Sequence, residues 1–88
     1  MNEIHVTKDN KVYLGYIRGM ACYNAELDTL ELMTSKNCKG EVPEQINIQT
    51  LLEDENGDLL IGTWQDGLFH YNIKENKFTH YPPLDESN

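Results

Sequence analysis

Apolar and polar residues alternate in short runs along this chain, and turn formers break every run before it could make a helix. Ile4-His5-Val6-Thr7 alternates at the strand period, and Lys77-Phe78-Thr79-His80-Tyr81 does so again near the end. Val12-Tyr13-Leu14 and Leu59-Leu60-Ile61 are continuous apolar runs, as expected of middle strands covered on both sides. The pattern predicts strands over 4–7, 12–16, 20–24 and 30–33, and a second set beginning at 46 and running to 81. Asn56-Gly57 lies between two apolar runs and predicts a two-residue type I′ hairpin, with positive φ at both positions. Gly62 and Gly67 bracket Thr63-Trp64-Gln65-Asp66, where the chain should reverse again. Between the two sets, Gly40 and Pro43 mark residues 34–45 as a loop without regular structure.

The two sets are copies of one pattern. Leu14-Gly15 falls on Ile61-Gly62, 47 residues on, and Asp9-Asn10 falls on Asn56-Gly57. Gly19 falls on Gly67, Tyr23-Asn24 on Tyr71-Asn72 and Leu30 on Phe78, all 48 residues on, so one loop is a residue longer in the second copy. A four-stranded unit repeating at roughly this period is the sequence mark of a β-propeller blade. The expected fold is therefore all-β, with two four-stranded antiparallel meander blades. Residues 1–34 form the first blade, 35–45 the inter-blade loop, 46–81 the second blade, and 82–88 a linker or tail. Pro82-Pro83 cannot donate ladder hydrogen bonds, so the sheet should end there.

The run from Asp54 to Tyr81, DENGDLLIGTWQDGLFHYNIKENKFTHY, resembles the repeat of two-component regulator propellers. Asp54, Asn56, Gly57, Ile61, Gly62, Thr63, Gly67, Leu68 and Tyr71 fit that repeat, while Leu60 stands where the family often carries Trp. The first copy departs further, with Gly15-Tyr16 in place of Gly-Thr and Gly19-Met20 in place of Gly-Leu. The resemblance implies the extracytoplasmic, periplasmic sensor part of a membrane-anchored hybrid histidine kinase, with a ligand such as an oligosaccharide. It places the kinase and phosphorelay chemistry outside these residues. Export would then be directed by sequence not present here, since Met1-Asn2-Glu3 has no basic and apolar leader pattern.

Composition narrows the partners. Seven basic against 15 acidic residues give a net charge of −8, which disfavours phosphate backbones and anionic membrane surfaces. No run approaches the ~20 apolar residues of a membrane span. Cys22 and Cys38 have no metal-type spacing; Cys22 reads as a small buried hydrophobe, and pairing with Cys38 stays open.

Candidate chemistry is sparse. In a meander blade the turn between the second and third strands shares an end with the connection between blades. That rim gathers Tyr16, Ile17 and Arg18 with Thr63 to Asp66. Tyr16, Arg18, Trp64 and Gln65 are the expected ligand-binding residues: Trp64 offers a flat face to a sugar ring, and Arg18 offers donors to a carboxylate or sulfate. Against that stand plainer roles, Trp64 covering the seam between blades, Arg18 a solvated loop residue, and Gln65 with Asp66 turn chemistry.

No catalytic constellation, cofactor motif or metal pair is expected. Asp54 to Asp58 only superficially resembles a calcium loop, having Leu59 where that loop needs Gly. Glu53 and Asp54 should point to opposite faces of a strand. His70 and His80 are expected to be satisfied by sheet neighbours. A fragment of a glycan lyase or hydrolase is disfavoured accordingly. An isolated blade pair would expose apolar sheet faces, so the partners expected are further blades of the same chain or self-association. The alternative function is a protein–protein interaction module that self-associates through those faces.

Overall fold

The structure, a computed structural model, describes residues 3–84. Strands β1 (Glu3–Val6), β2 (Val12–Tyr16), β3 (Gly19–Asn24) and β4 (Thr29–Leu32) form one antiparallel meander in sequence order. The second sheet holds β5 (Lys39–Gly40), β6 (Ile48–Glu53), β7 (Leu59–Thr63), β8 (Leu68–Asn72) and β9 (Lys77–Tyr81) in the order β5-β9-β8-β7-β6. The protein is thus all-β. Among the described residues no helix is long and apolar enough to cross a membrane. The tail expected over 82–88 falls partly on 85–88, outside the described residues.

Two expectations are corrected. Residues 34–45 are not free of regular structure, and the second sheet is neither four-stranded nor purely antiparallel, because β5 pairs in parallel with β9. The Lys39 amide donates to the Asn76 carbonyl at 2.8 Å and the Glu41 amide to Phe78 at 3.1 Å. An otherwise open edge of β9 supplies these acceptors. Gly40, at φ +79°, permits the approach, since a Cβ there would overlap the Phe78 carbonyl oxygen.

The turn at Asn56-Gly57 is also not type I′. Positive φ is confined to Gly57. The Gly57 amide donates to the Asp54 carbonyl at 3.1 Å and the Asp54 amide to Asp58 at 2.8 Å, the pattern of a type I turn closed by a left-handed residue. The Asp54 side chain selects this longer loop by accepting the Asn56 and Asp58 amides at 2.8 and 3.0 Å.

The internal repeat is visible in the turn chemistry. In the first copy Thr7 and Asn10 take the places of Asp54 and Gly57, with Asn10 at φ 65° and its amide donating to the Thr7 carbonyl at 2.9 Å. Between β3 and β4, the Tyr23 hydroxyl donates to Asp28 at 2.7 Å, and Asn24 Oδ1 accepts the Leu27 amide. Between β8 and β9, the Tyr71 hydroxyl donates to Asn76 at 2.6 Å, and Asn72 Oδ1 accepts the Glu75 amide. Asp28 and Asn76 carry matching left-handed backbones, φ 54° and 55°.

The sheets pack face to face. Strand pairing lines up two cross-strand rows on the inner face of the second sheet, Leu51-Ile61-Phe69-His80 and Glu53-Leu59-Tyr71-Phe78. Their apolar members are buried and form most of the core. The first sheet meets them with His5-Tyr13-Cys22-Glu31 and with Gly15 and Met20. Gly15 is the notch at the seam: a Cβ there would overlap the Ile48 side chain. Tyr13 meets Tyr71 edge to face at 5.9 Å, a contact contributing about 0.5–1.5 kcal/mol beyond burial. Burial pushes the Tyr13 hydroxyl up to about 12, with Cys22 and Cys38 adding to the shift.

The outer face of the first sheet has rows of the same make-up, Ile4-Leu14-Ala21-Leu32 and Val6-Val12-Tyr23-Leu30. Here Ile4, Val6, Leu30 and Leu32 are exposed. The face includes an apolar depression of about 420 Å³ over Leu14, Ala21, Leu30 and Leu32.

Candidate functional site

The rim expected to carry Tyr16, Arg18, Trp64 and Gln65 is assembled by backbone. The segment 45–47 leaves the inter-sheet connection and ties both turns together. The Gln45 amide donates to the Arg18 carbonyl and the Trp64 amide to the Asn47 carbonyl, each at 3.0 Å. The β2–β3 and β7–β8 turns therefore share one end of the molecule. Thr63 shapes the second of them: its hydroxyl donates to the Gly67 carbonyl at 2.7 Å and accepts the Asp66 amide at 2.9 Å.

The four side chains are not equivalent. Arg18 and Gln65 are exposed, and so is Trp64, at 66 %. Trp64 therefore does not cover the seam between the sheets, which is filled by Ile48, Leu51 and Tyr13. Tyr16 belongs less to the rim than to the apolar depression on the outer face, where it lies with Ile17. The rim thus offers a flat aromatic and a guanidinium on adjacent turns, a combination suited to a polar ring bearing an anionic or hydroxyl group.

Register also brings together a group that sequence reasoning did not. His70 on β8 pairs with Leu60, and its ring meets the carboxylates of the β6–β7 turn, 3.5 Å from Asp54 Oδ2 and 3.3 Å from Asp58 Oδ2. Ligand atoms of the three lie within 4.8 Å of one another. The remaining carboxylate oxygens are occupied, Asp54 Oδ1 by the Asn56 and Asp58 amides and Asp58 Oδ1 by the Ile73 amide at 3.3 Å. The donor types would suit a divalent cation, but each member already has a structural partner, and the cluster holds the turn against the β8–β9 loop. Burial alone would raise the Asp54 carboxyl. The Asp58 and Asn56 amides and the His70 ring outweigh it and hold the group below the usual carboxylate range. Asp54→Ala is expected to lower the urea midpoint more than Asp54→Asn, since Asn keeps an acceptor for the turn amides. Equal losses would show that the turn bonds do not matter.

Glu53 points the other way, as expected of its strand neighbour. It bridges the sheets, 3.1 Å from His5 Nε2 and 3.3 Å from the Lys8 amide. The His5 hydrogen bond, against a smaller effect of burial, holds its carboxyl below the usual range. A lowered carboxylate contributes stability that is complete above its unfolded value, about 4.3 for Glu, and is lost as pH falls through the folded value. The urea midpoint should therefore drop on the acid side of about pH 4.3, and Glu53→Gln should flatten part of that drop. A Glu53→Gln profile that parallels wild type would remove the bridge from the pH response.

His80 is likewise satisfied, with its ring stacked on Phe69 at 4.3 Å and Nε2 2.6 Å from the Asp66 carbonyl. Cys22 and Cys38 are free and half-buried, and burial pushes both thiols up, favouring the neutral form.

No family model matches this chain, and no curated protein matches it.

Proposed function

We propose that this chain is a pair of β-propeller blades from the extracytoplasmic sensor portion of a two-component histidine kinase, with a binding rather than a catalytic role. One observation carries the reading. The two sheets repeat the same turn hydrogen bonds and stack face to face at a glycine notch, as successive blades do. The motif residues of the resembled repeat have structural work in it: Asp54 and Gly57 close the hairpin, Thr63 and Gly67 close the rim turn, and Tyr71 packs at the seam. In this reading β5 and its loop lead from one blade to the next.

The ligand meets the rim, with Trp64 under a sugar ring and Arg18 on a polar substituent, and Gln65 beside them. The test is a glycan array probed with the complete protein, with Trp64→Ala and Arg18→Ala alongside. Retention of an oligosaccharide by wild type and a loss of at least about tenfold in either variant is expected. Equal binding by all three proteins removes the rim as the site. A reading frame encoding neither a membrane span nor kinase motifs after these residues sinks the sensor assignment.

A further inference from the structure

Each sheet has an inner face and an outer face, and the repeat relates them in a specific way. The inner face of the second sheet puts Leu51, Ile61, Leu59 and Phe78 among others into the core. Their counterparts in the first copy, Ile4, Leu14, Val12 and Leu30, form the outer face of the first sheet. Conversely, Tyr13 and the Gly15 notch, which receive the second sheet, correspond to Leu60 and Gly62 on the outer face of the second sheet. The contact inside the chain therefore joins one face type of the first copy to the complementary type of the second. One example of each type is left over, at opposite sides of the molecule.

Both leftover faces carry exposed apolar side chains. Leu30 is 61 % exposed where its counterpart Phe78 is 1 % exposed, and Ile4 is 55 % exposed where Leu51 is 2 %. On the other side Leu52, Leu68 and Tyr81 stand open around Gly62. A single helical or rotational step that carries the first sheet onto the second would carry the second onto the first sheet of another molecule. Of the two side chains a Cβ at Gly15 would meet, Ile48 and, at 3.7 Å, Leu51, the second has its counterpart in Ile4, so Gly62 would face Ile4 as Gly15 faces Leu51; the counterpart of Ile48 lies outside the described residues.

We propose that a second copy of this chain docks head to tail, its first-sheet outer face on the second-sheet outer face of the first. The interface is heterologous, so it propagates until a ring closes or an open stack forms. This docking belongs to these 88 residues by themselves, since further blades of a longer chain would take the same two faces; the sensor reading keeps its own test by glycan binding.

The test uses light scattering after gel filtration on the full chain at physiological ionic strength. Wild type is expected to exceed the monomer mass at micromolar concentration. Leu30→Lys blocks one face and Leu52→Lys the other; both positions are exposed, so far-UV circular dichroism should be unchanged. Each variant alone is expected to be monomeric, with association weakened by more than about tenfold. Mixed together, they should form a dimer that grows no further, since one intact face of each type remains. A wild type that stays monomeric at high micromolar concentration overturns the proposal. So does a variant that still self-associates, which would mean a symmetric interface, and so does a folded mixture that stays monomeric.

Discussion

Phe78→Ala is expected to lower the free energy of unfolding by about 3–5 kcal/mol, read as a fall in the urea midpoint with little change in slope. The ring is buried to 1 % exposure, stacks on Tyr71 at 4.4 Å, and lies under the backbone that pairs β5 with β9. Truncation leaves a cavity that the surrounding strands cannot close, because their hydrogen-bonded spacing is set on both sides of it. Domains of this size have about 5–15 kcal/mol in total, so the variant should sit near the edge of folding at body temperature. The control is the same repeat position in the first copy. Leu30→Ala, in dilute solution, should stay within about 0.5 kcal/mol of wild type, because Leu30 is mostly exposed there. Comparable losses for the two would show that the outer face of the first sheet is covered even in the monomer.

Gly15→Val should cost about 1–3 kcal/mol by overpacking the seam. The first atom added already overlaps Ile48 Cγ2 and crowds Ile48 Cβ, and Ile48 is itself fully buried, so it has nowhere to turn. Ile48→Ala alone is also destabilising, for the opposite reason. The double variant should lose less than the two single losses together, by about 0.5–3 kcal/mol, since the new methyls occupy the space that Ile48 vacates. Strict additivity in a urea double-mutant cycle would mean that the two residues do not meet. Gly62→Val, the same position in the second copy, should stay within about 1 kcal/mol. Its added Cβ meets only Thr50 Cγ2, at 2.7 Å, the end of an exposed threonine that can rotate away.

These paired variants separate two levels of information. Strand placement was legible to within a residue or two because period-2 alternation and turn residues are local signals. The repeat was legible for the same reason. Tyr-Asn before the β3–β4 and β8–β9 turns, and the positive-φ Gly19 opening β3 and Gly67 ahead of β8, are chemical requirements of those turns, and the matching Tyr23–Asp28 and Tyr71–Asn76 hydrogen bonds show why the spacing is kept. The type I′ expectation at Asn56-Gly57 failed because it weighed two residues, whereas the Asp54 carboxylate reaches two amides further along and sets a longer loop. The β5 pairing was illegible because a two-residue strand beside Gly and Pro has no periodicity; only the open edge of β9 makes it favourable.

The β2–β3 and β7–β8 turns of the candidate rim share one end because segment 45–47 bonds to both. Which of its side chains point to solvent was not legible. Tyr16 turned toward the apolar face, and the Asp54-Asp58-His70 cluster depended on a cross-strand register joining residues far apart in sequence.

The alternation of side chains and the chemistry of the turns by themselves determined an all-β chain with a duplicated meander. Tertiary structure alone decided which copy's apolar rows are buried. Two ribbons of one pattern each present an apolar row of the same type, Leu51 and Phe78 in the second matching Ile4 and Leu30 in the first. Stacking β6 on β1 and β2 covers Leu51, the β5 connection and Tyr71 lie against Phe78, and Leu30 and Ile4 stay in water, because a linear pair of sheets has one shared interior and two ends.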